Sequence, residues 1–127
     1  MENIIEANQI DVKDEAGRVR VRLSAMAAER PCITLYGNEG QTLELAMTGG
    51  GGEIIFQRQD GTRSIALKGD PQGGEFAISD KTGATAFIIR MNDSERFVEV
   101  FHPNGGSWRL NAFAGKTEPT WFPGPEA

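Results

Sequence analysis

Apolar residues stand two apart in five places along this chain, each time at the same distance ahead of a glycine. Seven positions before Gly17, Gly40, Gly61, Gly83 and Gly105 lie Ile10, Ile33, Ile54, Phe76 and Val98; five before them lie Val12, Leu35, Phe56, Ile78 and Val100. Strand side chains alternate faces with period two, so these ten positions predict five strands, each with one buried apolar face. The residues between them, Asp11, Thr34, Ile55, Ala77 and Glu99, follow no single chemistry. The three residues ahead of each glycine are turn-like, as in Asp14-Glu15-Ala16 and Asp80-Lys81-Thr82. Asp at the first turn position and Gly at the fourth suit a type I turn closed by a left-handed residue, where only glycine takes positive φ without steric cost.

The return strands alternate too, but in two phases. Val21 and Leu23, Ile65 and Leu67, and Phe87 and Ile89 hold equivalent positions, whereas Leu43 and Leu45, and Trp108 and Leu110, come one residue earlier. A slip of one residue turns a strand inside out. Units two and five are therefore expected to carry a bulge, a turn of another length, or a return strand apolar on both faces, and Gly105-Gly106 suggests the longer turn in unit five. The five glycines are 23, 21, 22 and 22 residues apart, so one hairpin-sized unit recurs through most of the chain. Between units lie turn compositions: Arg30-Pro31, Gly49-Gly50-Gly51-Gly52, Gly69-Asp70-Pro71-Gln72-Gly73-Gly74 and Asn92-Asp93-Ser94. A helical turn is expected only over residues 23–30. The organisation predicted is one all-β domain over residues 1–127, with residues 113–127 a proline-rich, aromatic C-terminal cap or arm.

Charge and chemistry narrow the function classes. Thirteen Lys and Arg against 18 Asp and Glu leave a net charge of −5, which argues against nucleic acid as a partner. No segment has the length or apolarity of a membrane span, and the first residues lack the features of a secretory signal, so a cytoplasmic location is expected. The single Cys32 allows no internal disulfide. His102 is the only histidine, so a zinc site would need carboxylates for its remaining ligands, and a catalytic triad could use only His102, near which nothing looks like a strained nucleophile turn; no cofactor or metal is expected. Gly115-Lys116-Thr117 lacks the upstream glycine of a phosphate loop, because that position is Leu110. Hairpin-tip pairs such as Asp14 and Glu15 stay solvated and suit acid–base work poorly. An enzyme is not expected.

Two segments remain as candidate interaction sites. Arg18, Arg20 and Arg22 alternate along one strand, as ion-pairing rungs on a solvated face or as a site for an acidic partner. Trp108, with the proline-flanked Trp121 and Phe122, concentrates both tryptophans near the C-terminal end of the repeats. Proline excludes a central strand there, so the segment is expected to cap the last hairpin or to reach a neighbouring subunit.

The first unit, from Ile10 to Leu23, resembles the repeat of certain uncharacterised bacterial proteins that string together aliphatic-x-aliphatic-x-Asp-x-x-Gly-x-x-Arg-x-x-Leu hairpins. Later units depart from it, with Leu43, Ser64, Ala86 and Trp108 where the pattern has Arg. The resemblance implies a hairpin architecture and no activity. A lone hairpin is unstable, so neighbouring units must cover its apolar face. The equal period favours hairpins stacked as a β-solenoid or prism-like array; a closed barrel, a β-trefoil, or a sandwich or meander are the alternatives. Strands apolar on both faces, such as Glu53-Ile54-Ile55-Phe56, call for a second covering surface. The expected function is that of a non-enzymatic structural or interaction protein, self-associating as a homo-oligomer with a trimer favoured. The alternative is a small lectin-like module binding carbohydrate or another ligand.

Overall fold

The computed structural model describes residues 3–26, 30–111 and 120–124, and of Thr120 and Phe122 the backbone alone. Each alternating stretch forms a strand: β1 (Gln9–Lys13), β2 (Val19–Ser24), β3 (Cys32–Tyr36), β4 (Thr42–Thr48), β5 (Gly51–Gln57), β6 (Arg63–Asp70), β7 (Gly73–Ser79), β8 (Thr85–Met91), β9 (Arg96–Phe101), β10 (Ser107–Asn111) and β11 (Thr120–Phe122). They make one antiparallel sheet whose spatial order is the order of the chain. Among the described residues each strand touches only its sheet neighbours, and no helix occurs. The sheet is therefore open, and neither a closed barrel nor a trefoil forms within one chain. Of the helical turn expected over residues 23–30, residues 27–29 lie outside the described residues and the others are not helical.

All five hairpin turns share one geometry. The N–H of the first turn residue donates to the carbonyl four residues on, from Asp14 to Arg18, Gly37 to Gln41, Arg58 to Thr62, Asp80 to Ala84 and His102 to Gly106. The closing glycine has φ between 78° and 92° in every case. A Cβ in that region costs roughly 1–2 kcal/mol, which explains why the glycine recurs when the residues around it change.

The phase difference between return strands has a different origin from the one expected. Units two and five pair without interruption, Leu35 with Leu43 and Val100 with Trp108, and unit five has no longer turn. The bulges lie in units one, three and four, where the register shifts at Val12/Lys13, Phe56/Gln57 and Ile78/Ser79. Arg20, Ser64 and Ala86 are the extra residues. Each bulge absorbs one residue, so the apolar set returns to the same face in all five units.

The two faces of the sheet also depart from the expected burial. None of the apolar residues paired across the repeat face is buried: Phe56 and Ile78 remain 39% and 37% exposed. The buried residues, Thr34, Ala46, Ile55, Ile88, Phe97, Glu99 and Ser107, all lie on the opposite face. Long ion-paired side chains cover that face. Arg30 bridges Glu44 and Glu53, Arg90 pairs with Glu75 at 2.7 Å, and Arg109 pairs with Glu99 at 2.7 Å while its guanidinium sits 4.2 Å over the Phe97 ring. Sheets normally gain stability by burying the apolar face and wetting the polar one. Among the described residues nothing lies over the apolar face.

Candidate functional site: an open apolar strip

The open face consists of two unbroken rows of cross-strand pairs. One runs through Ile10, Leu23, Ile33, Leu45, Ile54, Leu67, Phe76, Ile89, Val98 and Leu110, each opposite the next on the neighbouring strand. The other runs through Val12, Val21, Leu35, Leu43, Phe56, Ile65, Ile78, Phe87, Val100, Trp108 and Trp121. No charged residue interrupts either row. The next row on one margin runs Met47, Gly52, Gly69, Gly74 and Met91, and on the other the polar turns begin, so the strip is two side chains wide except at the exposed Met47 and Met91. Over β1 to β6 it is concave, enclosing about 860 Å³ against Ile10, Leu23, Ile33, Leu45, Ile54 and Leu67.

The extent of this surface separates it from ordinary surface leucines. The largest apolar patch on a typical monomer is about 300–600 Å². The accessible surface of the chain is 9304 Å², whereas a compact monomer of 13.8 kDa exposes about 6,600 Å². The excess, about 2,700 Å², is total surface, polar and apolar together, that a single open layer adds over a compact body. Among the described residues no large side chain is fully buried.

The aromatic candidates join this strip at its end. β11 pairs with β10 as an edge strand, setting Trp121 opposite Trp108, with ring centroids 5.1 Å apart and planes tilted by 47°. Trp108 is 53% exposed and Trp121 40%. The side chain of Phe122 lies outside the described residues, as do residues 113–119 and 125–127 of the C-terminal arm.

The arginines stand elsewhere, each with an acid or amide partner. Arg22 makes two hydrogen bonds to Asp11, at 2.7 and 2.8 Å, on the polar face. Arg18 binds Asp14 at 2.9 Å, and Arg20 binds Asn38 and lies 3.7 Å from Asp14. The Arg22 hydrogen bond holds the Asp11 carboxyl below its ordinary range, and the Arg18 backbone N–H, with its side chain, does the same for Asp14. Charge on this strip is thus spent within the chain. Among the described residues no group of three or more His, Cys, Asp or Glu is placed to hold a metal ion.

Reading the sequence for single motifs misses this site, because its signal is distributed. It appears only when both strands of every hairpin are aligned with the bulges counted. No protein-family model matches the chain, and no curated protein matches it.

Proposed function

We propose that the protein is a self-associating structural module, non-enzymatic, in which copies of the chain cover one another's apolar strips as a homo-oligomer. The observation carrying this reading is the unbroken apolar strip across all eleven strands, which no described residue covers. Apolar surface of that size drives association, because transfer out of water yields about 25 cal/mol per Å².

Strip width favours three chains around one axis, forming a triangular prism. Packed sheets lie about 10 Å apart, so each wall stands about 5 Å from the axis, and a triangle with that inner radius has sides of about 17 Å. Five residues of strand at about 3.4 Å each span the same length, as in β1, β3 and β10, whereas β4 to β8, with seven or eight residues, run past such a wall. Two inward side chains per strand fill such a wall. The Trp108 and Trp121 pair would lie in the contact at one end.

Multi-angle light scattering on the full chain tests the proposal. The expected mass is three times the 13.8 kDa of the chain. A monomer at micromolar concentration rejects self-association. A monomer that also binds immobilised sugars through its tryptophans supports the lectin-like reading instead.

A further inference from the structure

Resting on self-association through the apolar strip, we infer that the copies pack parallel and in register, each hairpin unit facing the same unit of its neighbours. The warrant is the uneven placing of the bulges. Units one, three and four carry one, and units two and five do not. A bulge increases the local right-handed twist. The order bulged, plain, bulged, bulged, plain reads differently from its two ends. Antiparallel copies would set bulged unit one against plain unit five, and plain unit two against bulged unit four. Parallel copies match twist at every level.

Side-chain size alone suits the opposite arrangement. The concavity over β1 to β6 is lined by Ile and Leu, while Phe76, Phe87, Trp108 and Trp121 stand at the other end. An antiparallel neighbour would lay those aromatics over the hollow. Twist outweighs size because it belongs to the backbone: an antiparallel neighbour sets a bulged hairpin against a plain one in four of five units, with the sense of the mismatch alternating, so the paired rows fall out of step level by level. A size mismatch is absorbed locally by rotamers and small shifts. A closed ring of three is also cyclic, and rotation about its axis keeps every chain pointing the same way. The consequence is a polar particle. Trp108 and Trp121 of every copy meet in one aromatic layer at the C-terminal end, and the outer edges of β1 lie together at the other.

Site-directed cross-linking tests the direction. In a Cys32→Ser background, Ile10→Cys and Leu110→Cys place one thiol at either end of the same row. A short bis-maleimide is expected to give covalent dimers of each variant alone, because the same position of neighbouring copies meets across the axis. Cross-links that form only when the two variants are co-assembled overturn the parallel arrangement, and so does the absence of any cross-link from associated chains. Leu23→Cys with Val98→Cys repeats the comparison one layer inward if either first variant fails to fold. Light scattering on the same samples reads association separately: monomers reject the self-association premise, whereas oligomers with the wrong cross-links reject only the direction.

Discussion

Asp80 accepts hydrogen bonds from the backbone N–H and hydroxyl of Thr82 and from the N–H of Ala84, at 2.8, 2.6 and 3.2 Å. Asp60 is held the same way by Thr62. The Thr82 hydroxyl, then its backbone N–H, lowers the Asp80 carboxyl below its ordinary 3.8, and Thr62 does so for Asp60. A carboxyl depressed in the folded state contributes stability that is complete above its unfolded pKa and is lost as pH falls through the lower folded value. The fold is therefore expected to weaken below about pH 4, with Asp11 and Asp14 contributing in the same direction. Asp80→Asn keeps an acceptor but cannot titrate. Its denaturation midpoint should change less than that of the wild type between about pH 5 and pH 2. An identical pH slope would show that the turn carboxylate is not what titrates. The turn itself was legible in the residues, since Asp at the first place and Gly at the fourth have few other uses.

The hairpin was legible as an element; its bulge was not. Offsets of apolar residues from the glycine show that two phases exist, but not which phase is regular. Three of five units share the longer spacing, which made the majority look like the norm. Pairing registers reverse this: units two and five are the plain hairpins, and Ser64 is a spare residue between the pairs Phe56–Ile65 and Gln57–Arg63. Deleting Ser64 should convert unit three into a plain hairpin, keeping Ile65 and Leu67 on the apolar face and losing only the hydroxyl bond to the Phe56 carbonyl. The cost should be about 1 kcal/mol. Deleting Thr42 from unit two, which pairs directly with Tyr36 and has no spare neighbour, should invert β4 and abolish cooperative unfolding. Chemical denaturation of both variants checks this, and equal damage from the two deletions would mean that Ser64 is not spare.

For the molecule as a whole, periodicity identifies the apolar residues but not what covers them. A strand pattern reports that one face is apolar, and a reader assumes a second layer from the same chain. Here every unit spends its residues on extending one sheet, so no segment among the described residues remains to make that layer. Each Å² of apolar surface that the two rows leave in water forgoes about 25 cal/mol of stabilisation. The net stability of an ordinary domain is only about 5–15 kcal/mol, so a chain that leaves its main apolar face wet has little margin. The isolated chain should consequently be marginal, and folding should be coupled to assembly. Where association stabilises only the folded state, the melting midpoint rises with protein concentration. Circular dichroism melts over a hundredfold dilution series should show a midpoint that climbs steadily with chain concentration. Leu45→Asp, which sets a charge in the middle of the strip, should lower the midpoint and flatten that dependence. A sharp midpoint independent of concentration would mean that one chain is stable by itself. The strip would then be a surface held open for some other molecule.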